Sequence, residues 1–446
     1  SASRGYRTAL IEGHDFAKAT SSRSTKLIHG GVRYLQQGDI PLVREALHER
    51  ARLLRNAPGL VHALAFVVPV DSWWQLPYYA VGLQIYDVLA GGRDVPRSRI
   101  LSARHARERF PSLHTHDIRA ALMYWDAQFD DARLAIALAQ TAVDCGAAVA
   151  NYVRAESLLY DGSRVSGVRA LDCETDEQFD VRALAVVNAT GIFTDGLRLQ
   201  DNPNASPLLR FSRGSHIVVS AAALPVAQAA LLVPGTRDGH VLFAIPWHDA
   251  VLIGTTDVAT PSPQLEPTPS DEEIEYILAT VNRYVDRRLD RRDIRAAFAG
   301  LRPLVNRASV GTARLSREHV VEISQSGLVT IAGGKWTTYR KMARDTIDAA
   351  RDRGALASVA CRTEELRLHD VPLVPDFEHA VRHEMARTLE DLLARRKRTL
   401  FIDASAALAE APAAADVLTR ERGQNTAWQN EQLDRFKELA RRYTIA

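Results

Sequence analysis

The sequence predicts an α/β fold that carries an α+β segment and a helical C-terminal part, and three observations lead there. Short strand-like runs far apart in the chain end in an acid or a small-residue turn: Arg7 to Glu12, Leu184 to Asn188 before Ala189-Thr190-Gly191, and Leu328 to Ala332 before Gly333-Gly334. From Phe211 the chain changes to strands of the antiparallel kind, followed by a helix with its own start signal. Beyond Ala350 it turns helical and rich in charge.

A chain of 446 residues can bury a large core and divide into about two or three domains. Its net charge of +2 comes from 56 basic and 54 acidic residues spread throughout, which leaves no nucleic-acid footprint. Cys145, Cys173 and Cys361 are odd in number and far apart, with no C-x-x-C. Neither a disulfide framework nor a zinc site is expected, and a reducing, cytoplasmic compartment fits. No run of about 18 uncharged apolar residues occurs, so no membrane span is expected. Ser1 opens directly into a globular pattern, and no secretory leader is expected.

Ser1 to Gly5 reads as a helix end with its Gly stop, and the strand that follows finishes on Glu12. Thr20-Ser21-Ser22-Arg23-Ser24-Thr25-Lys26-Leu27 leads to His29-Gly30-Gly31, a loop of small and hydroxyl residues whose backbone N–H groups can approach an anionic or planar ligand closely. Val43, Ala46, Leu47, Ala51 and Leu54 make the apolar face of a helix starting after Pro41, with Arg44, Glu45, Glu49 and Arg52 largely outward. Trp73 to Tyr86 is densely aromatic and almost without charge. It is expected to pack inside the substrate domain, with lipid or quinone contact as the alternative. Asp126 to Cys145 reads as a loop and then a helix, and Val149 onward as a β-meander turning at Asp161-Gly162. Phe211 to Val219, Val241 to Pro246 and Val251 to Thr255 are strand-like, the last two joined around His248-Asp249. Ser270 with Glu273 is a capping box before a helical pattern that runs to Val285. Arg382, His383, Glu384, Arg387, Glu390, Asp391, Arg395 and Arg396 mark a solvated or docking helix.

Five stretches in order, Lys26 to Leu35 (KLIHGGVRYL), Arg213 to Val219 (RGSHIVV), Ile245 to Asp257 (IPWHDAVLIGTTD), Ala299 to Leu304 (AGLRPL) and Gly333 to Lys341 (GGKWTTYRK), together resemble the FAD-dependent glycerol-3-phosphate dehydrogenases. These belong to the wider glycine/D-amino-acid oxidase superfamily, and the resemblance runs from Ser1 to about Asp348 and resumes in the C-terminal helices. It implies a Rossmann-type FAD-binding domain of the glutathione-reductase/D-amino-acid-oxidase kind, an antiparallel-sheet substrate domain and a helical domain. The expected division gives residues 1–70, 126–210 and 295–355 to the FAD-binding domain and 71–125 to a substrate or cap segment. Residues 211–294 form the substrate-binding domain and 356–446 the C-terminal helical domain.

The implied reaction is oxidation of sn-glycerol 3-phosphate to dihydroxyacetone phosphate, with electrons passed to a quinone. By the same resemblance, Glu12 meets the adenosine ribose, Thr20, Ser21, Ser22, Lys26 and Leu27 form the flavin loop, and Val153 lies on the adenine side. Ala189, Thr190 and Gly191 allow close approach to the cofactor, while Gly333, Gly334, Lys335 and Thr337 meet the flavin ring at a helix start. Arg33, Tyr34 and His29 are substrate residues, with Arg33 a phosphate clamp. Arg302 and Lys335 stabilise the developing alkoxide; His216 is the leading titrating group and His29 the second, with His216, Arg302 or a bound water as the alternatives for the proton acceptor.

One departure stands out. The first strand and G-x-G-x-x-G turn of such a domain would precede Ser1, so the chain is expected to be a fragment of a longer flavoenzyme. The alternatives are a glycerol-3-phosphate oxidase using O₂, or an inactive fragment without its pyrophosphate anchor. A homodimer and a peripheral contact with the inner face of the cell membrane are further expectations of the family.

Overall fold

The computed structural model describes residues 1–31, 39–91, 95–116, 118–226, 229–234, 241–306 and 319–445. The expected substrate residues Arg33 and Tyr34 lie outside them. A single 3-10 turn, Ala2–Arg4, ends on Gly5 in the left-handed region and leads to β1 (Ala9–Glu12). A second turn, Ala19–Ser22, precedes β2 (Leu27–Ile28). Helix α1 (Ile40–Asn56) begins where the Asp39 side chain accepts from Leu42 N–H, with Pro41 in its first turn. Then come β3 (Val61–Val70), α2 (Gln75–Ala90), β4 (Arg99–Leu101), α3 (Ala103–Arg109), β5 (Ala120–Phe129) and α4 (Asp131–Asp144).

Five strands follow: β6 (Ala148–Asn151), β7 (Val153–Asp161), β8 (Arg164–Asp172), β9 (Gln178–Arg182) and β10 (Val187–Asn188). Helix α5 (Thr194–Asp201) separates them from β11 (Leu209–Ser220), β12 (Ala229–Val233), β13 (Leu242–Trp247), β14 (Ala250–Gly254) and β15 (Val258–Thr260). Next are α6 (Asp271–Val281), β16 (Ile294–Val305), β17 (His319–Ile323) and β18 (Val329–Gly333). The chain ends in α7 (Tyr339–Asp352), α8 (Phe377–His383), a π-helical turn at Asp391–Arg396, α9 (Thr399–Ile402), α10 (Ala404–Glu421) and α11 (Thr426–Arg441).

A large mixed sheet runs β15-β11-β14-β13-β12-β3-β5-β2, with β16 on β11 and β4 on β5. Alternation along its strands sends side chains to two cores. Ile217, Val219, Val251 and Ile253 pack under Ile274, Ile277 and Leu278 of α6. Val218, Leu252, Ala296 and Phe298 face Phe401, Leu418 and the other C-terminal helices. The capping box is present at Ser270 and Glu273, but α6 stops at Val281 and leaves Val285 in a bridge to Leu113. Residues 294–305 were expected to return to the cofactor layer; they run antiparallel to β11 in the large sheet, and the return comes with β17 and β18.

The parallel layer exists in two pieces. β1 pairs β6 in one, and β10 pairs β18, itself flanked by β17, in the other. The edges of β1 and β10 that face away from these partners carry Leu10, 39% exposed, and Val187, 37% exposed. This corrects the reading of Leu184 to Asn188 as a strand: only Val187–Asn188 is paired, Leu184 is 76% exposed, and among the described residues β10 has a strand neighbour, β18, on one side. The meander comprises β7, β8 and β9, whereas β6 belongs with β1.

Three further expectations change. Asp126 lies in β5, not in a loop. Glu49 is buried, not outward, because both its oxygens accept from Arg340 of α7. The charged run after Arg382 is not a solvated face: Glu384, Asp391, Arg395 and Arg396 are buried and ion-paired.

Candidate active site

The large sheet meets the loops of the parallel layer where β11, β14 and β16 lie side by side. Gly214 of β11 makes room there: a Cβ on it would stand 2.4 Å from Arg302 Nη2 and 2.5 Å from Thr255 Oγ1. Arg302 reaches across, donating from Nη2 to Thr255 Oγ1 at 2.8 Å and from Nη1 to the Thr256 carbonyl at 3.0 Å. Asp257 lies 3.6 Å away, so the guanidinium is fixed yet partly open to solvent.

Two residues along β11, His216 stacks on Phe298 with ring centroids 4.9 Å apart. Its Nε2 lies 3.0 Å from Thr25 Oγ1, while its buried Nδ1 has no hydrogen-bond partner among the described residues. Burial first, then the nearby charges of Lys26 and Arg302, pushes the His216 pKa well below the ordinary 6.5. The imidazole is therefore neutral at pH 7 and available as an acceptor.

The loop before β2 is held from beneath. Lys26, in the left-handed region, folds its ammonium inward to the carbonyls of Ser22 (2.8 Å) and Ser24 (3.0 Å) and to Asp131 Oδ2 (2.7 Å). Burial, partly offset by Asp131, pushes its pKa down to about 8. Its side chain thus shapes the loop from inside, while its N–H donates to Ser24 Oγ at 3.1 Å and its carbonyl accepts from Phe129 N–H at 3.1 Å. Asp131 also accepts from the Ser24 N–H and hydroxyl and from Arg398, whose Nη2 in turn reaches the Ser22 carbonyl at 3.1 Å. Arg23 donates to Tyr443, to the Ala299 carbonyl and to Glu266. Asp15, at the head of the same segment, takes Arg396 bidentately at 2.6 and 2.8 Å and Arg395 Nε at 2.5 Å.

Three short turns gather around this loop. Thr20 Oγ1 donates to the Leu301 carbonyl at 2.7 Å, and Trp336 Nε1 to the Ser21 carbonyl at 3.1 Å. Ala19, Ile192, Leu301 and Ala332 share one apolar cluster. The turns Ala19–Ser22, Gly191–Phe193 and Trp336–Thr338 therefore converge, and none has a side-chain cap on its leading N–H groups. Ala189, Thr190 and Gly191 are exposed, and the Thr190 hydroxyl donates to Asn188. Gly333 and Gly334 both take positive φ between β18 and the last turn, in which Thr337 is buried.

The structure brings together Thr20, Ser21, Ser22, Lys26, Leu27, His216, Arg302, Lys335 and Thr337 from the sequence-based set. Glu12 and Val153 form a separate neighbourhood, joined where Tyr152 N–H donates to the His14 carbonyl. Glu12 accepts from His14 N–H at 3.0 Å, and burial raises its carboxyl pKa. Leu27 pairs Gln128 across to β5, and His29 follows where that ladder ends. Sequence reasoning missed Arg23, Asp131, Thr255 and Arg398. Thr255 lies inside a stretch already singled out, whereas nothing in the neighbours of Asp131 or Arg398 marks them as buried.

Residues 1–340 match the family described as FAD dependent oxidoreductase, and residues 355–432 the C-terminal domain of alpha-glycerophosphate oxidase. The chain is 46% identical over 415 residues to the mitochondrial glycerol-3-phosphate dehydrogenase of Homo sapiens, covering 87% of this chain and 57% of that protein. It thus spans 57% of the length of the mammalian relatives that it matches. The probable mitochondrial glycerol-3-phosphate dehydrogenase of Caenorhabditis elegans is 38% identical over 506 residues, covering 97% of this chain and 70% of that protein. The solved structure of the glycerol-3-phosphate dehydrogenase from Bacillus halodurans, complexed with FAD, superposes with a TM-score of 0.81 at 27% identity, covering 100% of this chain and 91% of that one.

Proposed function

Because the chain belongs to the FAD dependent oxidoreductase family that includes the glycerol-3-phosphate dehydrogenases, we propose that it contributes the active site for oxidising sn-glycerol 3-phosphate to dihydroxyacetone phosphate. When bound, FAD supplies the hydride acceptor. The donor set fits such a group, since three converging turns offer uncapped backbone N–H groups, with small residues at Ala19, Ser21 and Gly191. Thr20, Ser21, Ser22, Leu27, Ala189, Thr190, Gly191, Gly333, Gly334, Lys335 and Thr337 would hold it, with Lys26 bracing the loop from within and Glu12 and Val153 at its adenosine end.

The observation that carries the reading is the pairing of a fixed cation with a neutral base at the junction of loop and sheet. Arg302, anchored on Thr255 and Thr256, offers positive charge to an oxygen becoming an alkoxide. His216, held on Thr25 and Phe298 and kept neutral, is the base proposed to take the hydroxyl proton. Lys335 adds charge at the same end, and His29, Arg33 and Tyr34 grip the phosphate.

Anaerobic addition of sn-glycerol 3-phosphate to the desalted, flavin-loaded chain should bleach its visible flavin band. A bound flavin that stays oxidised would refute the substrate assignment. The open edges of β1 and β10 favour a second reading, in which this chain alone retains FAD poorly and turns over only when a further strand completes the layer. In that case no flavin survives desalting.

Quinone is the proposed electron acceptor, and contact with a lipid surface is proposed for α2. Among the described residues no helix is long and apolar enough to cross a membrane. Trp74, Tyr78, Val81, Ile85 and Val88 nevertheless form an exposed stripe at helical spacing along α2, with Trp73 just ahead of it. The inner face, with Leu83 and Tyr86, is buried as the sequence suggested; the outer face is not. Peroxide formed under air would favour the oxidase alternative instead.

A further inference from the structure

Tyr86 sits on the buried side of α2 among Leu47, Leu83 and Tyr124, where its ring leaves no freedom to the hydroxyl at its tip. That hydroxyl donates to Asp126 Oδ1 and Oδ2 at 2.8 and 2.9 Å. Asp126 in turn receives Arg50 Nη1 at 2.5 Å, and the same nitrogen donates to the Trp125 carbonyl at 3.1 Å. All three side chains are buried, so each polar atom depends on the others.

This group does one visible thing: it holds a peptide group. β2 pairs β5 at Leu27 with Gln128 and Ile28 with Ala127, and there the ladder stops, with Asp126 next in line on β5. In place of a strand partner, the Gly30 N–H donates to the Tyr86 hydroxyl at 2.9 Å and faces Asp126 Oδ1 at 3.4 Å. Gly30 has to be glycine for this, since a Cβ would stand 2.6 Å from both Leu47 Cδ2 and Tyr86 Oη. The chain thus leaves the sheet through a point fixed by side chains from α1, α2 and β5.

We propose that Tyr86, backed by Asp126 and Arg50, is a positioning residue that aims the His29-Gly30-Gly31 loop at the substrate phosphate. The proposal rests on the reading of that loop as part of the substrate site. A loop left to water at Gly30 would sample other paths, and binding would have to restrain it. A buried phenol at 2.9 Å does that restraining beforehand.

The test is Tyr86→Phe in the flavin-loaded chain, with Asp126→Asn as a second variant. Tyr86→Phe keeps the ring and removes only the oxygen that Gly30 uses. Two measurements are made: amide hydrogen exchange of the peptide containing Ile28 to Gly31, and steady-state kinetics with sn-glycerol 3-phosphate. We expect exchange at Gly30 to quicken by about tenfold or more, KM to rise by about tenfold and kcat to fall less than about threefold. Flavin content should stay near that of the parent, while the unfolding midpoint should fall, because Asp126 loses a buried donor; the KM response is what separates positioning from support. Unchanged exchange would overturn the assignment of the Gly30 bond, and faster exchange with unchanged KM would reduce the group to a structural one. If the unmodified chain itself gives no response to sn-glycerol 3-phosphate, the substrate reading fails first, visibly in the parent, and the positioning role goes with it.

Discussion

Asp131 carries more of the cofactor loop than any residue named from the sequence. Its carboxylate faces Lys26 and Arg398, both buried, and also satisfies Ser24 twice. Asp131→Asn would leave Lys26 without its direct carboxylate and Arg398 with Asp130 as its carboxylate, and should cost about 3–5 kcal/mol, read as a lower urea midpoint at unchanged slope. Lys26 gives a pH test with a definite sign. Its ordinary pKa of 10.5 falls to about 8 in the fold, so between those values the unfolded chain binds the extra proton. Stability from this group therefore rises as pH climbs from about 8 to about 10.5, and is flat below. The parent should gain on Lys26→Met in urea midpoint less at pH 8 than at pH 10. In catalysis, Arg302→Ala should lower kcat/KM for sn-glycerol 3-phosphate by about 10²–10³, and it should also lower the urea midpoint, since Asp257 loses the guanidinium 3.6 Å away.

At the scale of elements, α2 and the turn at Asp391–Arg396 show what local pattern can and cannot tell. Replacing Trp73 and Trp74 by Ser should reduce sedimentation with lipid vesicles; unchanged sedimentation would remove α2 as the contact. Carboxylates around the π-helical turn set the acid limit of the fold. Burial pushes Asp15 and Glu390 upward, but Arg396 and Arg395 for the first, and Arg395 and Lys18 for the second, win and hold them below their ordinary values. Their contribution is present above about pH 4 to 5 and lost only as pH falls through the lowered values. Arg396→Gln should move the acid unfolding midpoint upward, which a fluorescence titration would report. The capping box at Ser270 and the hairpin at His248-Asp249 were legible because every partner lies within a few residues. The burial of Glu384 to Arg396 was not, because charge runs are usually solvated and the deciding partner of Arg396 is Asp15, 381 residues away. Glu49 misled for the same reason, its partner Arg340 being 291 residues off.

Over the whole molecule, the two faces of the large sheet are unequal in what they need. One is covered by α6, folded back from the same sheet; the other is covered by helices from the end of the chain. The motifs that identify the site, His216, Arg302 and Gly333 to Thr337, were readable because they mix glycine with charge at fixed spacing. Their support was not, since Asp131, Arg398 and Tyr443 owe their roles to the fold alone.

That support has an order in time. Arg23 bonds Tyr443 across 420 residues, and the Ser22 carbonyl takes Arg398 across 376. A chain is made from its N-terminal side, so the hydroxyl-rich loop emerges well before Arg398 and Tyr443, and the Ser22 carbonyl and the buried Arg23 wait for partners made 376 and 420 residues later. The sheets can form as the chain is made, but the cradle closes only once these helices follow, and a product clipped before Arg398 would carry every recognisable motif and still lack the floor beneath them.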